Sequence, residues 1–367
     1  MAENDWVLLG SVEDLSHREL QQLTARETPI ALCHRNGQFT ALSGVCNHVG
    51  GPLGDGLIDG EYVTCPWHFW KFHWQTGRTR PEVGDGAVPT YAVKVEAGQV
   101  FVDLASATER RHIPHPPHPL ARPVERAPGP IRVVGVSTTM MNAQFPRPST
   151  SELLLDKALE QAQAAGCETQ SIRLRELSFR ACEGYYSKSA HACTWPCSIT
   201  QMDPTDQLDR VYEAFVHWAD AIIVTTSIRW GAPSSLYQKM VERMNCIQNQ
   251  ETIAERHLMK NKSAAFIITG GQDNIQAVAG QMLGFFAELG CQFPQFPYIA
   301  HSRGWSAEDM ENNNRYVAES QSLHDGARAL ADRTVEMARL LVAGTISDCP
   351  IVPGGRKGNQ LDVRAQI

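Results

Sequence analysis

The sequence predicts two domains of different class: an all-β domain over residues 1–104, followed by an α/β doubly wound domain with a parallel sheet over 131–344. Three observations predict this. Short β-prone runs separated by turn signals fill the first hundred residues. A stretch at 109–130 carries seven prolines, so it can be neither a central strand nor a helix. Beyond it, strand and helix patterns alternate, which implies a parallel sheet with helices on both faces. A length of 367 residues leaves each domain enough chain for its own core.

In the first domain the runs are "WVLL", "IALCHR", "QFTALS", "YVTC", "YAVKVE" and "QVFVDL". Asn36-Gly37, Asp59-Gly60, Thr76-Gly77, Asp85-Gly86 and Ala97-Gly98 mark the turns between them. Tyr91, Val93 and Val95 alternate with polar residues, as a half-buried strand requires. Residues 105–130 read as an extended, semi-rigid linker. Its His112, His115 and His118 read as solvated linker residues rather than metal ligands.

In the second domain "IRVVGVS", "TQSIRL", "DAIIVTTSI" and "SAAFIITG" are predicted strands, and "FPQFPYIAH" a fifth, irregular one. The third is nearly all apolar, as a strand buried on both faces should be. Helices are predicted over "STSELLLDKALEQAQAAG", "DQLDRVYEAFVHWA", "PSSLYQKMVERMNCI" and "NIQAVAGQMLGFFAELG", with one long helix from about 313 to 343. The tail, 345–367, has no clear periodicity.

Apolar residues are 43% and charged residues 20% of the chain, an ordinary globular composition. The net charge of −7 argues against a nucleic-acid partner, and no apolar run approaches a membrane span. The start "MAENDW" lacks the order of a signal peptide, so a cytoplasmic protein is expected. In a reducing compartment, closely spaced Cys and His read as metal or redox chemistry before disulfides.

One such group is Cys46, His48, Cys65 and His68, spaced C-x-H, sixteen residues, C-x2-H. Zinc could use these four donors. However, zinc sites of this type usually draw both cysteines from one segment and both histidines from another. Here each segment supplies one of each, which suits two irons. With "CNHVGG" and "CPWHFWKFHWQTG", residues 1–104 resemble a Rieske [2Fe–2S] domain. The resemblance implies that Cys46 and Cys65 bind one iron while His48 and His68 bind the other. High-potential respiratory members carry a further cysteine in each loop; this sequence does not. The resemblance is therefore to the ferredoxin or oxygenase type, at the low end of about −150 to +300 mV. Gly50, Gly51, Gly54 and Gly56 are expected to let the loop wrap the cluster with N–H groups facing sulfur. Trp67, Phe69 and Trp70 serve either to exclude water or simply as core.

The second group follows the strands of the α/β domain. Hydroxyls at Ser137, Thr138, Thr139, Ser149, Thr150 and Ser151 surround a predicted helix start, where N–H groups and the dipole favour a phosphate. Ordinary N-capping by Ser149 or Thr150 explains part of the same pattern. "TTSIRWGAPSS" and "TGGQDN" end two further strands, at the edge where open α/β sheets bind ligands. Neither a G-x-G-x-x-G turn nor a P-loop is present, which disfavours a dinucleotide fold and a nucleotide triphosphatase.

Residues 131–344 resemble the flavodoxin-like NAD(P)H-dependent FMN reductases, although "STTMMN" stands where that family usually has a Gly-Ser-Pro-Arg start. The resemblance places Ser137, Thr139, Ser149, Thr150 and Ser151 on the FMN phosphate, and Ile228, Arg229, Trp230 and Gly231 along the ring. Thr269, Gly270, Gly271 and Asp273 close its other side. Arg229 and Trp230 are the candidate catalytic residues, Arg229 by stabilising the reduced flavin anion. Cys182, Cys193 and Cys197, spaced C-x10-C-x3-C, read as an inserted loop with packed cysteines rather than a second cluster.

Together these readings predict an NAD(P)H-dependent flavoprotein oxidoreductase in which FMN accepts a hydride and the cluster passes single electrons to a partner such as an oxygenase. Two alternatives stand beside it: a cluster-fed FMN reductase of a quinone or nitro compound, and a non-enzymatic carrier or sensor. By resemblance a homodimer is expected. A complete Rieske oxygenase is disfavoured, because no fitting two-His-one-carboxylate motif follows residue 130.

Overall fold

The computed structural model describes residues 4–113, 118–142, 144–254, 256–270 and 274–344. The chain forms two units. One gathers the residues up to Pro123 with Arg180–Asp206 and Glu242–Arg256; the other gathers Val124–Phe179, Gln207–Val241 and the chain from His257.

The first unit is built on strands β1 (Trp6–Ser11), β2 (Leu20–Ala25), β3 (Thr28–Arg35), β4 (Gln38–Ser43), β5 (Leu57–Asp59), β6 (Tyr62–Thr64), β7 (Lys71–His73), β8 (Thr90–Glu96) and β9 (Gln99–Asp103). Six form an antiparallel sheet in the order β1-β9-β8-β4-β3-β2, and β5-β6-β7 form a small second sheet. Asn36 and Gly37, both at positive φ, close the β3–β4 hairpin in the paired left-handed conformation that Asn-Gly favours. Along β3, Ile30 and Leu32 face one core while Ala31 and Cys33 face the other, so this strand is buried on both sides. Strand β2, "LQQLTA", was hidden from the pattern by its polar residues. Of the expected alternation in β8, Tyr91 and Val93 pack inward, whereas Val95 is 53% exposed.

The expected linker begins as part of this unit. Arg111 and Ala87 exchange both backbone hydrogen bonds, and a 3-10 turn at Pro119–Ala121 buries Leu120. His118 caps that turn, whereas His115 lies outside the described residues.

The second unit holds five parallel strands: β10 (Arg132–Ser137), β11 (Glu168–Arg173), β12 (Ala221–Ser227), β13 (Ser263–Gly270) and β14 (Tyr298–Ser302), in the order β11-β10-β12-β13-β14. This is the doubly wound flavodoxin-like order, with ligand loops expected at the carboxyl ends of the strands. Strand β13 is buried on both faces through Thr269. Gly135 lets the helix Thr150–Ala164 approach β10: a Cβ there would lie 2.8 Å from Leu159 Cδ1.

Three expected helices divide. "DQLDRVYEAFVHWA" becomes an α-turn at Asp209–Tyr212 and a π-helical stretch at Glu213–Trp218. "PSSLYQKMVERMNCI" becomes the helix Ser235–Arg243 and the start of a second, Asn245–Ala254. The long terminal helix is two, Ala307–Glu319 and Gln321–Val342. Ser320, at φ −79° and ψ 98°, is extended and interrupts the backbone ladder between them. Among the described residues no helix is long and apolar enough to cross a membrane. The tail lies outside the described residues.

Candidate functional site

In the β unit the two expected ligand loops converge. Cys46 precedes a tight turn in which Gly50 N–H returns to Cys46 O at 3.1 Å; the second loop repeats this with Phe69 N–H to Cys65 O at 3.1 Å. Cys46, Cys65 and His68 are buried and His48 is half-buried. The two thiols share a hydrogen bond, which pushes Cys46 up and Cys65 down to about 7. Backbone N–H groups also face each sulfur: His48 N–H lies 3.5 Å from Cys46 Sγ, and those of Trp67 and His68 face Cys65.

Nδ1 of His48 and Nδ1 of His68 stand 3.1 Å apart with their rings edge to face. Two imidazoles on one metal at about 2.1 Å would stand about that far apart. Burial holds His68 below the usual histidine range, so it is the neutral form that ligates metals. The donors are thus grouped as a thiol pair and an imidazole pair. Among the described residues no three His, Cys, Asp or Glu groups could hold a single ion. This arrangement fits a two-iron group and does not fit a single zinc.

Three of the four glycine N–H groups do not take the expected role: that of Gly50 goes to Cys46 O. Gly54 N–H goes to Gln22 Oε1 and Gly56 N–H to Leu53 O; the sulfur-facing donors belong to His48, Trp67 and His68. Gly51 is required for a different reason, because a Cβ there would lie 2.8 Å from Cys65 Sγ. Trp70 stacks on His48 at 5.0 Å, and Trp67 packs on the core. Phe69, 48% exposed, excludes little water.

In the α/β unit a cavity of about 120 Å³ opens at the carboxyl ends of the strands. It brings together Thr139, Ser149, Thr150 and Ser151 with Ile228, Arg229, Thr269 and Gly270. Thr139 Oγ1 lies 2.7 Å from Ser151 Oγ and 3.3 Å from Ser149 Oγ, and the two serines are 3.0 Å apart. This hydroxyl cluster stands at the N-terminus of the helix Thr150–Ala164, where Ser149 also serves as N-cap. Such a cluster, with the helix dipole behind it, suits a phosphate.

Three of the predicted residues stand elsewhere. Ser137 is buried, donates to Glu152 Oε1 at 2.7 Å and does not line the cavity. Glu152 is in turn paired with Arg175. Trp230 points fully into solvent on a turn at φ 51°. Gly231 helps make that turn, and its carbonyl accepts from Asn274. Gly271 and Asp273 lie outside the described residues.

The cavity also contains residues the sequence reading missed: Arg147, Ser227, Arg303 and Asn313. Ser227 Oγ and Arg303 Nε are buried with no hydrogen-bond partner among the described residues, as expected where a polar ligand belongs. Arg303 directly follows β14, at the same strand edge as the other loops; that position was the available signal. The residues present fit FMN.

Cys193 and Cys197 pack in the first unit. Cys197 is lowered to about 5, chiefly by a hydrogen bond from Cys246, with Arg243 adding charge and an Nε–H donor at 3.2 Å. With Cys182 and Cys246, they still form no ion-binding set among the described residues.

Family models match the chain in two stretches: a Rieske [2Fe-2S] domain over residues 5–92 and an NADPH-dependent FMN reductase over 138–306. Over 104 residues the chain is 32% identical to the ferredoxin component of the p-cumate 2,3-dioxygenase system of Pseudomonas putida, covering 28% of this chain and 88% of that one. It is 31% identical over 91 residues to the ferredoxin component of biphenyl 2,3-dioxygenase of Rhodococcus jostii (strain RHA1), covering 25% and 85%. Among solved structures, RosB with bound 8-demethyl-8-formylriboflavin-5'-phosphate aligns at a TM-score of 0.47 and 18% identity, over 65% of this chain and 88% of that one.

Proposed function

We propose, for a chain that belongs to the Rieske [2Fe–2S] family and carries an NADPH-dependent FMN reductase domain behind it, a role in delivering electrons from NADH or NADPH singly to a redox partner protein. The observation that carries this reading is the presence, in one chain, of the paired Cys46/Cys65 and His48/His68 donors and of the hydroxyl-lined cavity at the strand edge. When bound, the flavin accepts a hydride and the cluster exchanges one electron at a time. The relatives serve dioxygenase systems, which favours an oxygenase as the acceptor.

Each residue has a definite task in this reading. Thr139, Ser149 and Ser151 donate to the FMN phosphate at the helix start. Ile228 and Gly270 form the ring's bed, packed so closely that a Cβ on Gly270 would lie 2.6 Å from Ile228 Cβ. Arg229 and Arg303 supply positive charge. The protein acts as a homodimer, for which the exposed Phe145, Trp230 and Trp305 of the α/β unit offer apolar surface. It works in the cytoplasm, in keeping with nine described cysteines of which none is joined in a disulfide.

The test is anaerobic mixing of the purified holoprotein with NADH or NADPH. Flavin bleaching followed by cluster reduction supports the reading. No bleaching by either nucleotide over many seconds would refute it and leave a carrier or sensor.

A further inference from the structure

In sequence, the segment 180–206 lies between β11 and β12 of the α/β unit, yet it belongs to the β unit. There it meets one side chain above all. Nε2 of His68 lies 2.8 Å from Ala192 O and 2.9 Å from Ser198 Oγ. A carbonyl can only accept, so Nε2 carries the proton and donates. Nδ1, which faces His48 Nδ1, is thereby left with the lone pair that a metal requires. The Ser198 hydroxyl has its own acceptor in Ala192 O at 2.9 Å, so its oxygen is available to accept from His68.

This arrangement is firmly built. Asn249, fully buried, donates to both Ala190 O (2.6 Å) and Cys193 O (2.9 Å), clamping the turn that presents Ala192. Lys188 Nζ donates to Pro66 O at 2.6 Å, tying the segment to the loop between Cys65 and His68. The Tyr185 ring lies 5.7 Å from His68.

We infer that Ser198, with the Ala192 carbonyl, is a positioning residue for the cluster: it fixes the tautomer of His68 and tunes the reduction potential downward. An acceptor on the distal N–H makes the imidazole a stronger donor to its metal. A stronger donor favours the more oxidised iron, which lowers the potential. The inference rests on the cluster alone, and neither FMN nor an outside partner enters it. Failure of the electron-delivery reading would therefore leave it standing.

The test is a potentiometric titration of the cluster in the full-length holoprotein, followed by electron paramagnetic resonance, for wild type, Ser198→Ala, Ser198→Cys and Ser198→Thr. Iron content is measured alongside. At a fixed poise, Ser198→Ala should raise the reduced-to-oxidised ratio about three- to ten-fold, an upward shift of about 30–60 mV for one electron. Ser198→Cys, a weaker acceptor, should shift the same way by less. Ser198→Thr, which keeps the hydroxyl, should return towards wild type. A loaded Ser198→Ala protein with the wild-type potential would overturn the inference. If that variant fails to take up iron, an unshifted Ser198→Cys protein overturns it equally.

Discussion

Replacing Asp206 by Asn should destabilise the β unit by about 3–5 kcal/mol, the cost of leaving a buried charge without its partner. The magnitude follows from how completely Arg243 is enclosed: both side chains of the pair are 0% exposed. Nη1 donates to Asp206 Oδ2 and Arg180 O, each at 2.8 Å. Nη2 donates to Asp206 Oδ1 at 2.9 Å and Thr200 Oγ1 at 2.8 Å, and Nε to Cys197 Sγ at 3.2 Å. Asp206 also accepts from Arg180 N–H at 2.9 Å. An Asn keeps the shape but loses the charge, and it turns one acceptor into a donor facing the guanidinium. Urea unfolding followed by fluorescence, with iron content after gel filtration, measures the effect. The variant should unfold earlier and lose its cluster, because this network anchors the segment that holds His68. Adding Arg243→Met should recover much of the loss. There is also a pH signature. Burial raises the Asp206 carboxyl, but Arg243 and the Arg180 N–H more than offset this and hold it below the usual value. A depressed carboxyl contributes stability above its unfolded pKa of about 3.9, and that stability is lost as pH falls below it. Wild type should therefore weaken in acid more steeply than Asp206→Asn. Stability of Asp206→Asn within about 0.5 kcal/mol of wild type at neutral pH would refute this account of the network.

Three further outcomes are expected. Ser151→Ala should weaken FMN binding to the apoprotein by about 10- to 100-fold, since a hydrogen bond to a charged group is worth roughly 1.5–3 kcal/mol; flavin fluorescence quenching measures it. Arg303→Met should move two observables in opposite directions: the apoprotein gains stability because a buried unpartnered N–H is removed, while FMN affinity falls. Lys262, lowered to about 8 chiefly by burial, binds fewer protons folded than unfolded between that pH and its ordinary value. Stability should rise with pH across that window. Lys262→Met should flatten the rise and gain about 2 kcal/mol at neutral pH, after a deduction of about 1 kcal/mol for the lost bond to Ala219 O.

The four expected cluster donors, Cys46, His48, Cys65 and His68, stood out in the sequence because the chemistry fixes both residue type and spacing. Four donors on two short loops permit few readings, and the structure pairs thiol with thiol and imidazole with imidazole. The parallel sheet was legible for a related reason: β12 and β13 are buried on both faces, and each carries an apolar run, "AIIV" and "AAFII", where an exposed strand would alternate. The FMN loops were only partly legible. Ser137 belongs to a hydroxyl-rich run, but its hydroxyl is committed to Glu152, fifteen residues away, and no local pattern encodes that choice. Arg303 follows a strand that looked irregular, so its place at the cavity was masked. Least legible was the destination of 180–206. Its helical turns are short, and its anchors, Asn249, Arg243 and Cys246, come from a later stretch of the chain. Contacts of that kind are decided by tertiary packing and leave no periodicity.

The return of 180–206 and 242–256 to the β unit bears on how the protein could have arisen and how it can be dissected. A simple fusion of two modules would leave each continuous in sequence, and one cut in the Pro-rich stretch would release both. Here such a cut would release a fragment stripped of the carbonyl and hydroxyl that hold His68, and of the amide that clamps them. The two cofactor-binding portions are interleaved, so they should be inherited, expressed and inactivated as a single piece.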